Sequence, residues 1–165
     1  MEIHHRGEFG TLLNEHGCRI GAELGVAKGA FSNCLLERSR LSLLVSIDRW
    51  SDHHNDREYR SVLELLRRHG DRSQVLRMTF DAALPLFPDG YFDFIYIDGY
   101  AHTGQEGGRT LARWWPKLRQ GGVFAGHDYA KTYAPTMRAV DEFVEEFSLA
   151  LHTTREQLAS WWVVK

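Results

Sequence analysis

The chain is poor in several residue types that would mark a specialised class. It has only two cysteines in 165 residues, Cys18 and Cys34. Both sit in apolar stretches, so they read as reduced core thiols in a cytoplasmic protein rather than a disulfide framework. No run approaches the ~20 apolar residues of a membrane span. The opening "MEIHHRGEFG" is charged and lacks the apolar segment of a secretory signal. Neither sign of charge dominates: 20 Lys and Arg stand against 22 Asp and Glu, a net of -2. The basic residues are scattered, which argues against a nucleic-acid surface. With no repeat, low-complexity tract or linker, residues 1–165 read as a single domain.

Short apolar runs alternate with helical patterns. Strands are expected at 18–24, 41–47, 73–78, 92–97 and 122–126, with a terminal pair at 149–154 and 160–165. The middle runs are apolar on both faces, as in a parallel sheet covered on two sides. Helical stripes recur between them. Tyr59, Val62, Leu63 and Leu66 make one, ending near Gly70. Leu111, Trp115 and Leu118 make another, interrupted by Pro116. Met137, Val140, Phe143, Val144 and Phe147 make the longest, and the segments 1–16 and 30–39 add two more. This pattern predicts an α/β fold: a doubly wound, Rossmann-like, seven-stranded sheet, mostly parallel, with an antiparallel hairpin at its C-terminal edge. In Trp114–Trp115 and Trp161–Trp162 one ring of each pair is expected in the core. The other is left for a lid or an oligomer surface, so a homo-oligomer stays open.

Ligands of such sheets bind at the carboxyl ends of the strands. The first strand ends in "GAELGVAKGAFS" (21–32), which is neither G-x-G-x-x-G nor a P-loop. An acid, Glu23, stands where a phosphate would be repelled. Gly25 permits close backbone approach and Gly29 a tight helix start. The second strand ends in Asp48, suited to the hydroxyl pair of a ribose. In "TFDAAL", Phe80 offers an aromatic face for an adenine and Asp81 an acceptor for its amino group, though Asp81 could equally cap a helix. The fourth strand ends in Asp98 with His102 close behind, and the fifth in His127, Asp128 and Tyr129. Acids and histidines at two neighbouring strand ends allow two chemistries. A histidine can serve as general base, or Asp98, Asp128 and His127 can hold a divalent metal. His53, His54, His4 and His5 read as surface residues.

Taken together, "AELGVAKGAFS", "IDRW", "FDFIYIDGYAH", "WWPKL", "GGVFAGHDY" and "AVDEF" resemble the class I S-adenosylmethionine-dependent methyltransferases, nearest to small bacterial O-methyltransferases. The resemblance runs from about residue 6 to the C-terminus. It implies S-adenosyl-L-methionine as cofactor, bound by Glu23, Gly25, Val26, Gly29, Asp48, Arg49, Phe80, Asp81 and Asp98, with Trp50 beside the adenine. It implies His102, His127 and Asp128 as catalytic residues and O-methylation of a small molecule. His127 and Asp128 fall where metal-dependent relatives carry metal-binding side chains, but His127 replaces the usual acid, so a metal is not committed. Ala27 stands where the family commonly has a glycine. Two other readings remain: a non-catalytic adenosine-ligand-binding protein of the same fold, and a nicotinamide-dependent oxidoreductase. The central expectation is that Glu23 and Asp48 share one cavity.

Overall fold

The computed structural model describes residues 2–165. A 3₁₀ turn at Arg6–Glu8 leads into α1 (Phe9–Glu15), β1 (Ile20–Leu24) and α2 (Ala30–Arg38). Next come β2 (Leu43–Asp48), α3 (Asp56–Leu66), β3 (Ser73–Arg77) and the short α4 (Phe80–Ala83). After β4 (Phe92–Ile97) the chain forms the helical turn α5 (Gly104–Gly107) and then α6 (Arg109–Trp114). The last elements are β5 (Leu118–Tyr129), α7 (Ala134–Glu146), β6 (His152–Thr153) and β7 (Ala159–Val164).

The seven strands lie in the order β3-β2-β1-β4-β5-β7-β6. The first five are parallel, and β7 runs antiparallel to both β5 and β6. The order reverses between β1 and β4, which makes the crevice above those two strands the expected ligand position. Strand ends shift by one or two residues from the sequence reading elsewhere, and depart most in two places. The fifth strand is longer than its apolar stretch, because Leu118 already pairs with Phe92 of β4, and Gly121 and Gly122 hydrogen-bond to Lys165 just past the end of β7. The strand expected at 149–154 shrinks to His152–Thr153, since it has only one neighbour.

Alternation along the strands divides the core. Phe94 and Tyr96 face α1, α2 and α3, whereas Ile95 and Ile97 face α4, α6 and α7. All four of Trp114, Trp115, Trp161 and Trp162 are buried. No ring of either pair is left for a lid or an outer surface: β7 lies inside the sheet, and Trp114 and Trp115 pack against Phe92, Phe124 and Phe143 in the core. Phe147 goes the other way. α7 ends at Glu146, which leaves that ring partly exposed. Cys18 and Cys34 are free thiols. Among the described residues, no helix is long and apolar enough to cross a membrane.

Phe9 ties α1 to this framework. Its ring contacts Phe31, Phe94, Tyr96 and Trp162 at centroid distances of 5.3 to 6.2 Å, and it is fully buried. Phe9→Ala therefore leaves a cavity among four rings and should cost about 3–5 kcal/mol, measured by urea denaturation. A loss below about 1 kcal/mol would mean that α1 packs independently of the sheet.

Candidate functional site

Three strand ends are joined beyond their ladders. The Gly25 N–H donates to Ile47 O (2.9 Å), and the Asp98 N–H donates to Leu24 O (2.7 Å). Gly25 has φ of 95°, and a Cβ on it would lie 2.1 Å from Asp98 O. Only glycine fits both the dihedral and the space. The loop then turns at Ala27 (φ 50°) and Gly29 (φ 76°) into α2. A non-glycine residue in the left-handed region is strained, and the Trp50 ring holds Ala27 there by donating its N–H to Ala27 O (2.9 Å).

Asp48 organises the same loop. Its Oδ2 accepts the N–H groups of Val26 (2.9 Å) and Ala27 (3.0 Å), and its Oδ1 that of Trp50 (3.2 Å). An ionised carboxylate offers about four acceptor positions, so Oδ1 retains capacity for a further donor.

Above these ends lies a cavity of about 230 Å³. Gly25, Asp48, Arg49, Phe80, Asp98, His102 and Asp128 are on its wall. Phe80 packs against Gly99 and meets the Tyr100 ring edge-on at 5.2 Å. Arg49 pairs with Asp52 at 2.9 Å. The His102 ring meets Tyr133 at 5.4 Å. His127 stands just behind the wall, its Nδ1 3.1 Å from Asp128 Oδ1 and 3.6 Å from Asp98 Oδ1. Asp128 has φ of 61°, where the β5–β7 register slips. That slip turns the end of β5 toward the cavity.

Besides His127 and the buried Trp50, four expected residues do not line the cavity. Val26 and Gly29 contribute to the loop's shape behind it. Asp81 faces outward and pairs with Arg113 (2.7 Å) and Arg109 (3.6 Å). Glu23 and Asp48 do not share the cavity: Asp48 faces it, while Glu23 lies beneath the loop, fully buried. Strand alternation decides this, since Ala22 and Leu24 face the opposite layer. The Ser32 hydroxyl donates to Glu23, and the Ser46 hydroxyl donates to Ser32 (3.1 Å). Burial pushes the Glu23 carboxyl up to about 8, against the pull of Ser32 and Arg6. At neutral pH Glu23 is therefore mainly protonated, and the carboxylates on the cavity wall are those of Asp48, Asp52, Asp98 and Asp128, with Arg49 beside Asp52.

The sequence reading also passed over wall residues. Met78, Tyr100 and Tyr133 line the cavity, and so do His53 and His54. His54 is held by Glu58 at 3.0 Å. The "HHND" stretch signals only a loop; its place at the cavity rim follows from where β2 ends. Arg6 was missed altogether. It lies 92 positions before Asp98 in the chain, yet its Nη2 is 2.5 Å from Asp98 Oδ2.

The family model described as a methyltransferase domain matches residues 22–129. That stretch runs from β1 to the end of β5 and contains every wall residue except Tyr133. The chain belongs to the methyltransferase domain family. No curated protein sequence matches it significantly. Solved structures share the whole fold at low identity. An O-methyltransferase from Bacillus cereus in complex with SAH is 17% identical with a TM-score of 0.72, covering 97% of this chain and 80% of that one. The O-methyltransferase TomG from Streptomyces achromogenes, solved with SAM and involved in tomaymycin synthesis, is 15% identical with a TM-score of 0.69, covering 97% and 79%. The precorrin-6y C5,15-methyltransferase from Geobacter metallireducens is 13% identical with a TM-score of 0.67, covering 94% and 86%.

Two outcomes follow from the geometry. Gly25→Ala should cost about 2–5 kcal/mol, from strain at positive φ and the clash with Asp98 O; thermal denaturation reads it, and an unchanged midpoint would contradict the close approach. For Glu23, the folded-state value lies above the unfolded one. Between pH 4.5 and 8 the folded state holds the proton that the unfolded chain releases, so stability falls as pH rises through that window. Glu23→Gln should therefore gain on the parent by up to about 1.4 kcal/mol per pH unit across it, read from urea midpoints. Parallel curves would show an ionised Glu23.

Proposed function

We propose that the protein is an S-adenosylmethionine-dependent methyltransferase that methylates a hydroxyl of a small molecule. One observation carries the reading: Asp48 and Asp98, at the ends of β2 and β4, face one cavity across the glycine turn at Gly25, with Phe80 on the same wall. This cavity suits a cationic nucleoside without phosphate. Asp48 Oδ1 accepts from the ribose, Phe80 covers the adenine, and Asp98 faces the positively charged methionine end. At about 230 Å³ the space is smaller than the ~300–1,000 Å³ usual for ligand pockets, so the acceptor enters at the rim formed by Tyr100, His102 and Tyr133.

S-adenosylmethionine supplies an electrophilic methyl group; as the acceptor oxygen bonds to it, the carbon–sulfur bond breaks and its electron pair stays on sulfur. The protein's own part is positioning and removal of the hydroxyl proton. His127 is the base. Its Nδ1 faces Asp128 and Asp98, which stabilise the imidazolium and leave Nε2 free to accept. Asp128 and His102 orient the acceptor from the wall.

Asp98, His127 and Asp128 also bring potential ligand atoms within 4.8 Å of one another. Two carboxylates and an imidazole fit a divalent cation, which would lower the pKa of an acceptor oxygen. Activity that survives dialysis against a chelator favours the base; activity lost and restored by magnesium or manganese favours the metal. The protein acts in the cytoplasm on a small-molecule partner.

S-adenosylhomocysteine should bind the purified protein in calorimetry, and Asp48→Ala should weaken it about tenfold or more. Absence of binding at millimolar ligand, or NADH binding in its place, would overturn the proposal.

A further inference from the structure

The reading above gives Arg6 no role. Yet among the described residues it is the one lysine or arginine paired with a member of the Asp98–His127–Asp128 cluster. It approaches from behind the cavity wall. Its Nη2 lies 2.5 Å from Asp98 Oδ2, so that oxygen is engaged, and Asp98 Oδ1 is the one turned to His127 Nδ1 at 3.6 Å. The guanidinium is laid over Phe31, 3.9 Å from the ring centroid, and over Tyr96 at 4.9 Å. Aromatic faces hold such a planar cation in one orientation. The backbone is fixed as well: the Arg6 N–H donates to the Glu156 carboxylate (2.7 Å), and the Arg155 N–H donates to His4 O (2.9 Å). Arg6 cannot swing clear of Asp98 without leaving both rings. Glu23, another acid whose field reaches the guanidinium, is mainly protonated at neutral pH, so the charge of Arg6 is committed to Asp98.

A divalent cation in this cluster would draw on two carboxylates and one imidazole. The affinity of such a site follows the number of charged ligands and their freedom to adjust. Arg6 works against both. Two carboxylates and one guanidinium leave a net charge of −2 + 1 = −1. With Oδ2 held, Asp98 has only Oδ1 to give. A fixed guanidinium one carboxylate away also repels a dication, and weakly screening protein strengthens that repulsion. We infer that Arg6 is the built-in cation of this cluster: it holds Asp98 in place and keeps a divalent metal out, so that His127 works as the base without one. Arg6 touches neither substrate nor cofactor and acts through Asp98, as a positioning residue. This role rests on the methyl transfer proposed for this cavity, and it decides between the two chemistries that the cluster's residues allow.

The test is a titration with manganese chloride, free manganese being read by electron paramagnetic resonance. The parent protein should bind no manganese below the millimolar range. Arg6→Gln should bind it at least about tenfold more tightly. Arg6→Met, which keeps apolar contact with the two rings but not the charge, should match Arg6→Gln. Arg6→Lys keeps the charge and should stay with the parent. Adding Asp128→Asn to Arg6→Gln should remove the gain, which locates the new site in the cluster. Loss of a merely structural contact would not create a metal site. Micromolar manganese binding by the parent that Asp128→Asn abolishes overturns the inference, whether or not any Arg6 variant folds. So does a neutral variant at position 6 that keeps a cooperative thermal transition and binds manganese no more tightly than the parent. S-adenosylhomocysteine titrated into the parent tests the cofactor reading separately. Failure there leaves the manganese result standing for the cluster, and manganese binding by the parent removes the role of Arg6 while the cofactor reading stands.

Discussion

The close approach of Gly25 to the Asp98 carbonyl governs the rest of the site. It brings the ends of β1 and β4 within backbone contact, where the sheet order reverses and a crevice must open. A side chain at position 25 would push the strands apart or tilt the loop. With glycine there, the loop folds back over β2, and the Asp48 carboxylate fastens it through the Val26 and Ala27 N–H groups. Much of the cavity wall follows from this. Asp48, Asp98 and Phe80 meet because the loop that separates them is pulled tight.

Strain collects at the same place. Ala27, Tyr100 and Asp128 have positive φ and all line the cavity. Such conformations persist only where the surroundings determine them. Trp50 holds Ala27, and the register slip beside β7 sets Asp128. The layer beneath has a different electrostatic character. Glu23 is buried with two serine hydroxyls in line and carries little charge at neutral pH, which lets an acid sit under the loop without repelling the carboxylates above it. Arg6 completes the balance from the N-terminal turn. Its charge offsets Asp98 in a cavity lined by four carboxylates.

The sheet was readable from residue order because each strand's apolar run is local and each helical stripe repeats within a dozen residues. FDFIYI coincides with β4, and the residues that end β2, β4 and β5 stand where the periodicity stops. The Glu23 expectation went astray over direction rather than position. Counting places it at a strand end, but the two-residue alternation turns it away from the ligand side. The tryptophan pairs were misjudged for a related reason. A terminal pair of strands suggests an edge, yet the last strand inserts between two others and both of its faces become interior.

Residue order alone determined the α/β alternation, the glycine turn after β1 and the acids at successive strand ends, since these depend on local spacing and on which side chains tolerate a given backbone. Only the tertiary structure decided which acids share a cavity, that Glu23 is buried beneath it, and that an arginine at position 6 meets an aspartate at position 98. Those outcomes depend on the pairing of strands far apart in the chain and on the face each side chain takes. Neither is encoded by any short stretch.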